Sequence, residues 1–525
     1  MRSRPFASLV ASALLALGSL AAAPSAALAQ QNPVQALNQS LFGLIPDARR
    51  SDTVLLPAMS KLEAPPPILG QQSALVIPAD APSFAALSAW AQGQPQREAI
   101  DAVMKVTAVD NWRTAFVFAL RYGADEVEPE RVIDGLYVDL GDPPLLAAAR
   151  FGYLDRMGTL FDLLHVEVTR LMAQDEPQKA AELVIRSMIL ARQLLDRAYY
   201  PEHELGYRAV LAGLGRLIDV QYLDARSEAP KLTPEFHRET AARLANGGFM
   251  AIDRIALPVG ELAAARQIVD RAFDSAGRPS RETFAIELSR VAASTRPLRA
   301  FSEQAKWQAL ADAQADRAGT LDKVKGIADD WKLRWAFSAR GELPRTDVAL
   351  ESQSLDRARF PIIDAVVPAA EVLFDLRQRV VVELIGARTV FAVGGFFARH
   401  RTYPPILDAT SPTFIRAIDR DPLDRSANPR PLEYDRGRDG VYVAGAEVQL
   451  SPSSALGRFA PKGVADFAAP LVNVGYTLYS AGPDNIRHGG SRATQGQPGV
   501  EGDYLIHPPV LSLIRQHLRD SGQLR

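Results

Sequence analysis

Seven histidines and no cysteine limit what this sequence can do chemically. Without a thiolate, sulfur-built zinc sites, iron–sulfur clusters and cysteine nucleophiles are excluded. The densest group of ligating side chains lies near the C-terminus. Ser480, Asp484, Asn485 and Asp503 offer hydroxyl, carboxylate and amide oxygens around a glycine-bearing loop, and His488 and His507 flank it. Imidazole and carboxylate together suit zinc, so Asp484, His488, Asp503 and His507 form a candidate N/O site. An Asx-type turn closed by Asp484 is the alternative use of the same loop.

His203-Glu204 begins like a zinc-protease helix, but that chemistry needs a second histidine where Tyr207 stands. The pair is expected instead at a capped, charged helix start. His165 is expected on a helix as a satisfied or partly exposed side chain, and His237, near Glu239, on a solvated helical face. No Gly-x-Ser-x-Gly elbow, phosphate loop or dinucleotide-binding glycine fingerprint occurs. A serine–histidine–aspartate triad assembled in space stays open. Trp112, Trp307, Trp331 and Trp335 lie in helical pattern and read as core. The Arg/Asp-rich stretch 417–439 reads as a salt-bridged connector rather than an anionic-ligand site.

The elements that must position these residues are mostly helical. From about 83 to 345 the apolar period is that of amphipathic helices. Asp142-Pro143-Pro144 reads as a capped start for a helix whose stripe runs from Leu145 through Ala148, Phe151, Leu154 and Met157 to Leu164. Asp175-Glu176-Pro177 and Pro201 open two more, and further helices are expected near 234–245, 259–273, 280–293, 299–316 and 320–337. A long helix follows over 369–400, with Val372, Leu373, Leu376, Val380, Leu384, Val390, Phe391 and Phe397 as its buried stripe. Its charges, among them Glu371, Asp375, Arg377, Arg379, Glu383 and Arg388, argue against a membrane span. Beyond Pro404 the pattern turns to short strands at Leu432–Tyr434, Val441–Val443, Val474–Ser480 and Tyr504–Ile506, with 444–472 as an insertion and a last helix over 510–519.

The N-terminus reads as an export signal over residues 1–29. Arg2 and Arg4 precede an uncharged run from Leu9 to Ala23, and Ala27-Leu28-Ala29 offers a cleavage site before Gln30. The apolar run falls short of the ~20 residues a spanning helix needs. The formal charge is −2 before the two arginines are removed, which disfavours a nucleic-acid-binding surface. Residues 30–82, with Pro57, Pro65-Pro66-Pro67, Pro78, Pro82 and Gln71-Gln72, read as an extended Pro/Gln-rich lead-in. The sequence therefore predicts a multi-domain, mainly α protein. An irregular α-helical domain over 83–358, with an αα-repeat as its alternative, precedes a small α+β domain over 359–525 with a long helix and a short antiparallel sheet.

The last third also resembles the globular half of type II secretion major pseudopilins. The resemblance is carried by Phe396-Phe397-Ala398-Arg399-His400-Arg401-Thr402-Tyr403-Pro404 as the helix end, Asp421-Pro422, and Pro431-Leu432-Glu433-Tyr434 as a first strand. It continues in Leu478-Tyr479-Ser480-Ala481-Gly482-Pro483-Asp484, Gly489-Gly490 and Gly502-Asp503-Tyr504. It implies calcium in that loop, where the oxygen donors are Ser480, Asp484, Asn485 and Asp503. The sequence departs from the family at Asn485, where glycine is usual, in one residue inserted before Gly489-Gly490, and in a longer gap to Asp503. It also lacks the family's basic leader and apolar assembly helix, so the usual route into a filament is not expected.

A signal, a helical domain and such a tail are together similar to uncharacterised exported envelope proteins, a likeness that implies no activity. The expectation is a periplasmic or extracellular, non-enzymatic interaction or structural protein, with other envelope proteins as partners, no nucleic acid, and no membrane span after cleavage. An envelope hydrolase with its site in the helical domain, and an accessory component of a secretion or pilus-like apparatus, are the alternatives.

Overall fold

The computed structural model describes residues 32–109, 111, 113–245, 248–295, 300–336, 351–424, 426, 428–436, 447–452, 456, 459–471, 474–482, 486, 494–495 and 503–524. The expected signal peptide, the strand at Val441–Val443 and Trp112 lie outside them. The described chain is mainly helical, with short strands toward its C-terminus.

Helices Pro177–Leu194 and Tyr200–Ala225 pack on each other. Gly152–Ala173 lies against the first, and the long helix Glu371–His400 against the second. The long helix also packs on Pro234–Arg243 and on the strands Thr477–Ser480 and Tyr504–His507. Close approach to the sheet is possible because Gly386 faces Ile506, where an added Cβ would stand 2.6 Å from Ile506 Cγ2. The long helix is apolar and long enough to cross a membrane by length and composition alone. In the fold, 83% of its most apolar 18-residue window is buried inside the protein. Two of the charges expected to interrupt it have partners there. Arg377 Nη1 donates to the Trp335 carbonyl at 2.9 Å, and Glu383 accepts the Tyr504 hydroxyl at 2.7 Å.

The C-terminal strands form a three-stranded antiparallel sheet in the order Glu433–Asp435, Thr477–Ser480, Tyr504–His507. The stretch expected to be an insertion holds a second small sheet. Its strands Glu447–Leu450 and Phe467–Pro470 pair antiparallel, and Thr494–Gln495 runs parallel to the first.

Two expectations need correction. The lead-in is not extended throughout, because it carries helices at Pro33–Phe42 and Asp52–Ser60, the second with Pro57 inside it. Asn32 caps the first, its side chain accepting from the Val34 amide at 3.0 Å, and Leu37, Phe42, Leu55 and Met59 are buried. Burial of those side chains outweighs the local cost of a proline in so short a helix. The helix expected from Asp142 begins only at Gly152. Ahead of it, Val138 and Asp139 pair with Phe151 and Arg150 in a two-residue ladder, Gly141 has φ +68°, and Leu145 joins a separate apolar cluster. One apolar cluster runs from Val34 to Leu518 and takes in side chains on both sides of residue 358. Two smaller ones surround Phe284 and Trp331.

Candidate functional site

The structure divides the C-terminal candidate residues. Ser480 ends its strand with the hydroxyl donating to Asp421 Oδ2 at 2.6 Å and accepting from the Gly482 amide at 3.0 Å. Burial pushes the Asp421 carboxyl up to about 6. Asp503 is fully buried beside the next strand. Asp484, Asn485 and His488 lie outside the described residues. His507 stacks on Tyr476 with ring centroids 3.8 Å apart and planes 2° from parallel, and its Nδ1 lies 3.0 Å from the Tyr476 carbonyl. That contact makes Nδ1 an N–H donor, so this nitrogen serves the fold. Among the described residues, no three His, Asp or Glu side chains come together in a group that could hold a metal.

The other helical histidines are more deeply placed than the sequence suggests. His165, His203 and His237 are 1%, 0% and 3% exposed. Burial pushes them down to about 3, 4 and 4, and His507 to about 3, so all four are neutral at pH 7. His165 is therefore neither partly exposed nor satisfied, since neither ring nitrogen has a hydrogen-bond partner. His237 faces Phe391 and the glycine pair Gly394-Gly395 rather than solvent, because those glycines let the long helix close over it. His203 Nε2 lies 2.9 Å from the Arg197 carbonyl, and the acid that caps this helix start is Glu202. Glu204 instead accepts from Arg208 Nε at 2.9 Å. Trp307, Trp331 and Trp335 are core residues. Ion pairs Arg388–Asp419 and Arg430–Asp424 brace the connector at 417–439.

Sequence reasoning misses two buried charge centres. Glu202 accepts from Arg197 Nε at 2.8 Å, the Tyr122 hydroxyl at 2.8 Å, the Tyr153 hydroxyl and the Tyr199 amide at 3.1 Å. Asp219 accepts from Arg216, Arg515 and Ser512. Both are sealed from water and hold distant segments together.

The accessible chemistry lies elsewhere. Helices Gly260–Ala272, Arg281–Thr295, Ala300–Ala311 and Pro361–Val366 meet the start of Tyr200–Ala225 around a crevice of about 470 Å³. Tyr199, Tyr200, Glu261, Lys306, Trp307 and Asp364 are among its lining residues. Glu261 sits in the first turn of its helix, and its Oε1 accepts the Tyr200 amide at 2.6 Å. Protein surrounds the carboxyl densely, yet the residue is still partly accessible, as befits a group on a crevice wall. Burial pushes it up to about 8, against the backbone amides that favour its charged form. A carboxyl kept protonated at neutral pH is a hydrogen-bond donor and a possible general acid. The only sequence signal was an acidic residue in a first helical turn, which ordinarily just complements the helix dipole.

The raised value fixes the sign of a pH effect. Glu261 contributes stability that is fully present below about 4.5 and lost as pH rises through about 8. Wild type is expected to lose on the order of 1–2 kcal/mol relative to Glu261→Gln between those limits, a discounted figure because water reaches the crevice. Urea unfolding of both proteins from pH 5 to 9 checks this; parallel profiles would show a carboxyl already ionised at neutral pH. Glu383, Asp375 and Asp421, raised by burial to about 7, 6 and 6, slope the same way in both proteins and cancel in the difference.

No protein-family model matches the chain, and neither a curated protein nor a solved structure is significantly similar to it.

Proposed function

We propose that this is an exported envelope protein that works by binding rather than by catalysis, with other envelope proteins as partners. The observation that carries the reading is the use made of the reactive side chains. His165, His203, His237 and His507 are buried and neutral, and the Glu202 and Asp219 carboxylates are each engaged by buried arginine. Residues so committed to the interior hold a scaffold. Leu44 and Ile133, 96% and 84% exposed, are accessible positions at which a probe for such a partner can be placed. Export rests on the Arg2-to-Ala29 pattern.

The long helix ending before Tyr403-Pro404 and the sheet after it support the accessory-component form of this reading. Calcium at the Ser480 loop belongs to that form. Millimolar calcium then raises the melting temperature of the mature protein, and an unchanged melting temperature removes it. The hydrolase reading draws on one feature, the protonated Glu261 in its crevice.

One experiment separates the main readings. A photoreactive residue at Ile133 or Leu44, introduced into the full chain in cells, is expected to give a discrete adduct with an envelope protein. The purified mature protein is expected to leave chromogenic ester, peptide, glycoside and phosphoester substrates intact. Turnover of any of them that disappears in Glu261→Gln would replace binding by hydrolysis as the function.

A further inference from the structure

Arg216 and Arg515 share the single carboxylate of Asp219, and both also line a pocket of about 300 Å³, a volume at the small end of the range for ligand sites. The pocket lies between Gly152–Ala173 and Tyr200–Ala225, with Ile77, Pro78 and Arg515 along its side. Thr169 and Arg216 mark one end, where Arg216 Nη2 donates to Thr169 Oγ1 at 2.7 Å. Asp175 and Asp224 mark the other. Arg216 and Asp224 stand eight residues apart on one helix, about 12 Å along its axis, so the two ends are separate.

Each end holds one charge that its neighbours leave unbalanced. At the first, two guanidinium groups face one carboxylate. Burial pushes Arg216 down to about 10, with Asp219 opposing the shift and Arg515 adding to it. Arg515 engages Asp219 and the Leu75 carbonyl through Nη1 and Nη2, which leaves its Nε, among the described residues, without an acceptor. At the second end two carboxylates face one ammonium. Lys231 Nζ pairs with Asp175, whereas the Asp224 oxygens accept the neutral Lys231 and Leu232 amides at 2.9 and 3.0 Å. Burial raises the Asp224 carboxyl, and Asp175 raises it further. Both ends have an accessible member, since Arg515 is 9% exposed and the Asp175 side chain 68%. Met172 and Leu223 make the wall between the ends apolar. Like charges held together at each end are relieved by a ligand that brings the opposite charge to both.

We propose that this pocket binds a linear amino-carboxylate zwitterion, with its carboxylate at Arg515 and Arg216, its ammonium at Asp175 and Asp224, and its methylenes along Met172 and Leu223. An α-amino acid is too short to reach both ends. The site goes beyond the docking of envelope partners and does not depend on it.

The test is calorimetric titration of the mature protein at pH 7 with 6-aminohexanoate, with hexanoate, hexylamine and glycine as controls. The zwitterion is expected to bind at least about 10-fold more tightly than each control. Arg515→Met is expected to weaken it about 10-fold. Asp175 has φ +60°, a conformation asparagine also tolerates, so Asp175→Asn removes the charge without straining the turn. That variant is expected to bind the zwitterion about 5-fold more weakly and hexanoate no more weakly than wild type does. Leu223→Trp fills the middle of the pocket from a partly exposed position and is expected to abolish binding. Melting temperatures, taken first, establish that the variants are folded. Because Arg515 also anchors the C-terminal helix, the other two variants carry the test by themselves if Arg515→Met unfolds. No heat of binding at millimolar 6-aminohexanoate, equal affinity for hexanoate or hexylamine, or unchanged affinity in the folded variants would each overturn the assignment.

Discussion

Glu202→Ala is expected to destabilise the protein by about 3–5 kcal/mol, a large part of the roughly 5–15 kcal/mol that holds a typical domain folded. The reason lies in what the substitution strands. Arg197 and Glu202 are both fully buried, and Arg197 lies 4.9, 5.6 and 4.5 Å from the rings of Phe42, Phe118 and Tyr122. Without the carboxylate the guanidinium keeps its charge, cannot leave, and is left with the Leu120 and Phe118 carbonyls, the neutral Tyr153 hydroxyl and ring faces, none of which carries a counter-charge. Burial keeps Tyr122 and Tyr153 protonated, so two hydroxyl donors lose their common acceptor at once. Four stretches meet there: the helix Pro33–Phe42, the chain around Phe118–Tyr122, the start of Gly152–Ala173 and the start of Tyr200–Ala225. The loss should therefore appear as a lower urea midpoint for global unfolding rather than as local fraying. The double variant Arg197→Met, Glu202→Leu removes both charges and is expected to recover part of the loss, although the orphaned tyrosines remain. A double variant less stable than Glu202→Ala would show that the pair itself, not the stranded charge, dominates.

What the sequence makes legible is whatever a local period can encode. Val372, Leu373, Leu376, Val380, Leu384 and Val390 recur on one stripe, and the helix they announce runs over Glu371–His400. The helices expected near 234–245, 259–273, 280–293 and 320–337 stand at Pro234–Arg243, Gly260–Ala272, Arg281–Thr295 and Arg317–Ala336, because their starts and stripes are written in neighbouring residues. The candidate sites were less legible for a physical reason. Glu202 meets Tyr122 and Tyr153 across 80 and 49 residues, and Asp219 meets Arg515 across 296. Nothing in the spacing of any of them marks a partner. The histidines misled in the same way: a histidine beside a charged neighbour on a helix reads as solvated, whereas Gly394 and Gly395 on another helix decide that His237 is covered. Glu261 owes its raised pKa to burial against segments distant in sequence, among them the start of Tyr200–Ala225. The lead-in prolines likewise describe only local preference, which the burial of Leu55 and Met59 overrides.

The second large effect is expected at Asp219. Arg216 Nη1 donates to its Oδ2 at 2.6 Å, Arg515 Nη1 and Nη2 donate at 3.1 and 2.8 Å, and the Ser512 hydroxyl donates to Oδ1 at 2.7 Å. Arg515 also reaches the Leu75 carbonyl at 3.2 Å, so one carboxylate ties the C-terminal helix Val510–Asp520 to the central helix and to the lead-in. Burial alone would raise this carboxyl; Arg515 and Arg216 outweigh it and hold it below the usual range. Its contribution is thus present above the ordinary aspartate value of about 3.9 and lost as pH falls through the lower folded value.

Asp219→Ala leaves two buried arginines facing each other and is expected to cost about 3–5 kcal/mol, with release of Val510–Asp520 as its first consequence. Arg515→Met leaves the Asp219–Arg216 pair intact and neutral, so its cost is expected to be smaller, about 1–2 kcal/mol. Hydrogen exchange of the C-terminal helix distinguishes the two. Protection lost in Asp219→Ala at neutral pH and largely kept in Arg515→Met would place the anchor in charge balance. Equal loss in both would place it in the Arg515 contacts themselves, because only that side chain spans all three segments.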